Sequence, residues 1–324
     1  MRKSVMRLAV LFVMGWLFLG TGAVHAQYPE PNRTITINVN APPGGATDIQ
    51  IRATANYLSK SLGGAKVQIE NIPGASGKIA YEKTFKAKPD GYTLLAVNLI
   101  GPIILELQEK DVHYKVLAFT PVYAISSMPF VLVVHTDMWK TLDDFLQEGQ
   151  KRVVSIGTMG KNTGNYLQAA AFVEATKIKA NLVPFAGGAE STTTLAGKHI
   201  DAVITPVISA LPLVRGGKLR PLFVFSDDPD PSFPGVPISK ESKWEIAAFP
   251  FIINFVGPPN LPDDRVKILG DAFSKALKDP AFMEWANKVN LEITPMGAER
   301  VREITVKTYQ NAVKYGSFSD AEKK

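Results

Sequence analysis

The sequence predicts an α/β protein of two lobes joined by two crossing strands. Three observations predict it. Strand-like and helix-like patterns alternate nearly throughout the chain. The alternation comes in two successive blocks, each of ordinary domain size. The chain then ends in helices with too little sheet of their own, so they must return to the first block.

The first 26 residues are set aside before the elements are read. Arg2, Lys3 and Arg7 form a basic start, residues 8–20 are an apolar run, and Val24-His25-Ala26 places small residues at the −3 and −1 positions of a peptidase site. This is the layout of a secretory signal peptide, with cleavage expected after Ala26 and a periplasmic destination. The run falls short of the roughly 20 residues that a membrane span requires. The chain has no Cys, which excludes a lipid anchor after the run, a disulfide framework and a thiolate zinc site. Removing the leader leaves 33 basic against 30 acidic residues, a net charge of about +3. The basic residues are scattered, so nothing points to nucleic acid. A weak positive field does favour anions.

In the first block, residues 33–40 alternate and are rich in β-branched side chains, which reads as a strand. Residues 41–45 turn, and 47–61 carry apolar residues at helical spacing until Gly63 and Gly64 stop them. A second strand (66–70), a glycine-rich turn (71–77), a helix (79–85) and a third strand (92–97) follow. This βαβαβ order implies parallel strands with right-handed crossovers. The second block opens on an apolar strand at 130–134. A helix at 141–149, with Thr141 as N-cap, leads to a strand at 153–156 and a helix at 163–176. Segments 182–184, 189–196, 202–205, 208–214 and 222–225 continue the alternation, and 227–237 is a proline-rich loop. A strand at 249–256 precedes helices at 263–278, 280–290 and 298–312, with a short strand expected at 291–294. The crossing strands fall near 121–126 and 249–256. Lobe 1 is thus expected to comprise 27–125 plus 248–324, and lobe 2 126–247. A ligand belongs in the cleft between them, because α/β sheets bind at the carboxyl ends of their strands.

Four strand-to-helix turns carry the chemistry: Pro42 to Asp48, Pro73 to Gly77, Gly157 to Asn165 and Pro184 to Ala189. Glycine lets the backbone approach a ligand and adopt positive φ. The helix that follows directs free N–H groups and a partial positive charge at the turn, which suits an anion without any Arg or Lys. Each turn alone is weak evidence, and at the first a plain turn with an N-cap from Thr47 or Asp48 explains the residues as well. Two such turns per lobe, facing one cleft, carry more weight.

The runs APPGGATDIQIR (41–52), NIPGASG (71–77), KPDGYTLL (88–95), 183–201 and SALPLVRGGKL (209–219) resemble the substrate-binding proteins of tripartite tricarboxylate transporters, the TctC or Bug family. The resemblance covers essentially all of 27–324, in order. It implies a periplasmic Venus-flytrap protein that binds a small carboxylate and delivers it to membrane permease subunits, with no cofactor, no metal and no catalysis, as a monomer. Carried over by position, the lobe 1 contacts are Pro43, Gly44, Gly45, Ala46, Ala75, Ser76, Gly77 and Asn98. Those of lobe 2 are Thr158, Asn162, Thr163, Asn165, Phe185, Gly187, Gly188, Ala189 and, at a place where the family often has Asp, Thr205. Asp48 is expected to brace the first loop rather than touch the ligand. Phe185-Ala186 stands where the family often has Tyr-Lys, and Phe251 where many members have Trp. These departures imply a more apolar far end, suited to an aromatic acid or a longer aliphatic dicarboxylate rather than citrate.

An enzyme finds few handholds. His113, His135 and His199 lie in no metal motif and read as lone surface residues. Ser76 lacks the second glycine of a nucleophile elbow. Gly77-Lys78 is followed by Ile79, not the hydroxyl residue of a P-loop. Asp227-Asp228 reads as a solvated acidic turn. Two rivals remain: a sensor partner that reports the same ligand to a receptor kinase, and a secreted hydrolase.

Overall fold

The computed structural model describes residues 28–41, 43, 46–159, 163–288 and 291–315. The leader and its cleavage site, Gly44, Gly45, Asn162 and the polar tail lie outside the described residues.

The first block folds as expected. β1 (Ile35–Val39), α1 (Ala46–Ser61), β2 (Val67–Asn71), α2 (Lys78–Phe85) and β3 (Thr93–Asn98) form the βαβαβ unit, with β2 and β3 parallel to β1 on either side. α3 (Ile100–Gln108) follows, a helix that the sequence pattern does not announce. Its run is apolar nearly all round, because it packs inside the core, so no polar face marks the helical period. Pro102 sits in its first turn, where a missing N–H costs nothing.

β4 (Thr120–Met128) passes through Pro129 alone into β5 (Phe130–His135). α4 (Leu142–Lys151) is opened by Thr141, whose hydroxyl accepts from Asp144 N (3.1 Å) while Asp144 accepts from Thr141 N (3.0 Å). β6 (Val154–Thr158), α5 (Gly164–Thr176), β7 (Ala180–Pro184), α6 (Gly188–Ala196), β8 (Ala202–Pro206), α7 (Val207–Arg215) and β9 (Leu219–Phe225) complete the second block. The chain returns through residues 226–250 to β10 (Phe251–Gly257), α8 (Asp263–Leu277), α9 (Pro280–Lys288), β11 (Met296–Gly297) and α10 (Ala298–Tyr315).

Two sheets result. Sheet 1 has the order β11-β4-β10-β3-β1-β2 and sheet 2 the order β7-β6-β8-β5-β9. The crossing strands β4 and β10 lie side by side and antiparallel in sheet 1, where Phe251 still faces Met128. Helices cover both faces of each sheet, as parallel strands require. One core joins α1, α8 and α9 to sheet 1. A second lies between α6, α7 and sheet 2. The third runs without a break from β3, α2 and α3 through Phe130 and Phe249 into β5, β9, α4 and α5, so the lobes share it. Gln168 of α5 clamps the return segment: its amide donates to Ala247 O (2.7 Å) and accepts from Phe249 N (2.9 Å).

Two expectations are corrected. Residues 291–294 are not a strand. Thr294 N does reach Ile125 O (3.1 Å), but the paired residues are Met296 and Gly297, opposite Ala124 and Tyr123. His135 is not on the surface. It is buried at the end of β5, its Nδ1 accepting from Asp137 N, whereas His113 and His199 are exposed. Asp227 is exposed in its loop and pairs with Lys307 of α10 (2.9 Å).

Candidate ligand-binding cleft

Six helices begin at the carboxyl ends of parallel strands: α1, α2 and α3 after β1, β2 and β3, and α5, α6 and α7 after β6, β7 and β8. Each directs unpaired N–H groups and a partial positive charge toward its edge. The two edges meet. A Cβ on Gly164, the first residue of α5, would lie 3.1 Å from Ile100 Cγ2, the first residue of α3.

In lobe 1 the corners are tied together by Tyr81. Asn40 Nδ2, at the end of β1, donates to the Tyr81 hydroxyl (2.9 Å). A Cβ on Gly77 would sit 2.4 Å from the same ring, and one on Gly101 3.1 Å from its hydroxyl. Burial pushes the Tyr81 phenol far above its ordinary pKa, against the opposing pull of Asn40, so it remains a neutral hydrogen-bonding group. Ahead of it, Gly74, Ala75, Ser76 and Gly77 all have positive φ (113°, 45°, 54° and 97°). Holding Ala75 and Ser76 there costs on the order of 1 kcal/mol each. Successive N–H groups in such a turn point into one concavity, an arrangement that receives anions. Ala75 and Ser76 are exposed. Lys78, next in sequence, carries its ammonium away to Asp111 (3.1 Å).

Asp48 is buried. Its carboxylate accepts from Asn71 Nδ2 (2.7 Å) and Arg52 Nε (2.8 Å), and Asn71 Nδ2 also reaches Ala41 O (2.9 Å). This ties the first turn to the second and is the brace that the resemblance implied. Asn98 Oδ1 accepts from Ile100 N (3.1 Å) and so opens α3. Pro43 is exposed in its turn, and Ala46 begins α1. Gly44 and Gly45 lie outside the described residues.

Lobe 2 uses hydroxyls. Thr158 ends β6 and Thr205 lies in β8. Both are fully buried, and among the described residues neither Oγ1 has a partner. A buried polar group left unpaired costs about 1–3 kcal/mol. Gly188 opens α6 directly against Thr205. A Cβ there would stand 2.6 Å from Ser209 Oγ and 2.8 Å from Thr205 Oγ1. Gly187 caps the helix in an extended conformation, and Ala189 is exposed in its first turn. Phe185 donates its N–H to Thr158 O (2.8 Å), and its ring lies against Gly157. Glu190 turns back to accept from Ala186 N (2.9 Å).

Thr163 caps α5 by accepting from Tyr166 N (3.4 Å) and bonds Asn165 Oδ1 (2.5 Å). Asn165 is buried, and its Nδ2 donates to Ile204 O (3.0 Å). Both ends of that amide are engaged within lobe 2, so Asn165 shapes the edge from behind. Asn162 lies outside the described residues. Sequence reasoning did not single out Asn40, Tyr81 or Ser209. Tyr81 stands four residues after Gly77, one turn into α2, and that spacing was the available signal. Among the described residues no group of three or more His, Asp or Glu gathers as a metal site.

Two α/β lobes whose carboxyl edges face each other, each lined by helix N-termini, define the architecture of a two-lobed solute-binding protein. Residues 50–314 match the TctC family, described as the tripartite tricarboxylate transporter family receptor, and the chain belongs to that family. It is 29% identical over 286 residues to protein BugT of Bordetella pertussis, covering 85% of this chain and 86% of BugT. It is also 29% identical over 304 residues to a UPF0065 protein in the gbd 5' region of Cupriavidus necator, covering 90% of this chain and 89% of that one. Among solved structures, a TctC solute-binding protein from Polaromonas without ligand matches with a TM-score of 0.79 and 26% identity, over 91% of this chain and 100% of that one. The same fold recurs at 24% identity in MatC from Rhodopseudomonas palustris with bound malate (TM-score 0.63, covering 89% and 97%). It recurs also at 24% in an R. palustris protein with adipate (TM-score 0.66, covering 89% and 98%).

Proposed function

We infer that this chain is exported, loses residues 1–26 in the periplasm, and acts as a monomer that closes two lobes on a small carboxylate and hands it to the permease subunits of a tripartite tricarboxylate-type transporter. The lobes are residues 27–125 plus 248–324 and residues 126–247. The observation that carries the reading is the pair of uncharged polar edges facing each other: left-handed backbone at 74–77 in lobe 1, and in lobe 2 the buried hydroxyls of Thr158 and Thr205, which have no partner among the described residues.

One carboxylate is received by N–H groups at 44–46 and 75–77, and the far end of the ligand by Gly188, Thr158, Thr205 and Ser209. Hydroxyls donate readily to a second carboxylate. An aliphatic dicarboxylate is therefore the leading ligand class, in keeping with the malate and adipate of the two R. palustris proteins. The Phe185 ring beside Gly157 favours an aromatic acid as a second reading. Hydrogen bonds to a charged group contribute about 1.5–3 kcal/mol each. Four of them, less the ordering cost, account for a micromolar constant, about −8 kcal/mol.

Calorimetry on residues 27–324 with malate, adipate, benzoate and citrate is the test. Micromolar binding of a dicarboxylate or of benzoate is expected. Binding of citrate alone would sink the assignment of ligand class, and binding of none would sink the site.

A further inference from the structure

Lobe 1 contains a second recess, which touches the edges described above only through Leu99 and Pro102 at the start of α3. Its floor is Leu95 and Val97 of β3 with Asn254 and Val256 of β10. Residues two apart on a strand share a face, so all four look up into the same space under α10. Arg302, Thr305 and Val306 of α10 form one wall, and Leu117 with Phe119 another. The cavity measures about 90 Å³. An apolar cavity of about 150 Å³ encloses benzene, so this one takes a chain of about four carbons.

Three features single out an occupant. Asn254 is 1% exposed in the middle of an apolar strand face, and among the described residues its Oδ1 has no hydrogen-bond partner. A buried carbonyl oxygen of this kind calls for a donor. Arg302 stands exposed at the rim, and among the described residues it makes no ion pair. Glu106 of α3 is engaged by Val116 N (2.7 Å), Lys115 and Tyr309. Between floor and rim the walls are mostly apolar, with Leu117, Phe119 and Val306 beside Thr305. Leu117 and Val306, 45% and 38% exposed, flank the opening.

We propose that this recess binds a short aliphatic hydroxy acid. Its carboxylate pairs with Arg302 at the rim, its carbons fill the cavity, and its terminal hydroxyl donates to Asn254 Oδ1. The assignment is independent of what the cleft between the lobes holds.

The probes are 5-hydroxypentanoate and pentanoate, added to residues 27–324 and followed by ligand-observed NMR and by crystal soaking. The hydroxy acid is expected in the recess, bound about tenfold more tightly than pentanoate, the value of one hydrogen bond to a buried acceptor. Asn254→Leu abolishes that preference. Arg302→Gln, an exposed change that leaves the core intact, weakens both probes. Gly188→Val, which blocks the cleft, alters neither. The proposal is overturned if soaked crystals show only water in the recess, if Arg302→Gln binds both probes unchanged, if Asn254→Leu retains the preference, or if Gly188→Val removes binding.

Discussion

The two edges of the cleft reach the same end by different means. Lobe 1 stores its polarity in backbone conformation: four successive residues at 74–77 with positive φ, packed onto one tyrosine. Lobe 2 leaves the buried side-chain hydroxyls of Thr158 and Thr205 without partners among the described residues. The first device costs strain and the second costs desolvation. Mutations therefore separate differently in the two lobes. Damage to lobe 1 shows first in stability, and damage to lobe 2 first in binding.

The largest effect tests that contrast in lobe 1. Gly77→Val places a branched side chain at φ +97° with its Cβ 2.4 Å from the Tyr81 ring. A loss of about 3 kcal/mol is expected, read in urea unfolding. Unchanged stability would remove the strained corner from the account. Next comes Gly188→Val, whose Cβ meets Ser209 (2.6 Å to Oγ, 2.8 Å to Cβ) and Thr205 Oγ1 (2.8 Å) at a backbone conformation without positive φ. Dicarboxylate affinity should fall about a hundredfold, some 2.7 kcal/mol, with a smaller loss of stability than at Gly77, since Ser209 and Thr205 must shift to admit the side chain. A stability loss as large as that of Gly77→Val would mean that the lobes do not differ in kind.

Thr205→Val sharpens the comparison. It replaces a buried hydroxyl that has no partner among the described residues with a methyl of the same shape, so the protein without ligand should hold or gain about 1 kcal/mol while ligand affinity drops about tenfold. Tyr81→Phe removes only the bond from Asn40 and should cost about 1 kcal/mol in stability, with binding following weakly. The smallest effect lies at the opposite edge of sheet 2, where charge replaces neutrality. Burial opposes ionisation of Asp201, but Arg152 (2.7 Å) and the Ser155 N–H and hydroxyl overcome it and hold the carboxyl below its usual range. A depressed folded-state pKa adds stability that is present above about pH 4 and is lost as the pH falls through the folded value. Asp201→Asn should flatten that acid limb of the stability curve by a fraction of a kcal/mol, because Arg152 is largely solvated.

Much of this was legible in advance, because alternating β-branched strands and glycine stops are local signals. The βαβαβ unit, the N-cap at Thr141 and the return of the last helices follow from them. α3 was not legible, since a short run that is mostly apolar shows no helical period. The pairing at 296–297 was not, because two residues carry no pattern. In the site, Gly77 and Gly188 stand in motifs that a reader can mark. Tyr81 and Ser209 matter through what they touch across a turn, and touching is a property of the fold rather than of spacing alone. The acceptor on Asn254 was hidden for the same reason: in the string FIINFVG it looks like a lapse in a strand.

The strand order of sheet 1 has one further consequence. β10, which sits between β3 and β4, reaches its place only after the whole of sheet 2 has been made. A chain emerging amino terminus first therefore presents β3 and β4 with naked edges for the length of the second block, and such edges invite pairing with other chains. Sheet 2 is free of this dependence, since β5 through β9 are contiguous. Its early completion would draw residues 129 and 226 close together and shorten the loop that β10 must close. Chaperone demand during biogenesis should accordingly fall on the half that is made first and finished last.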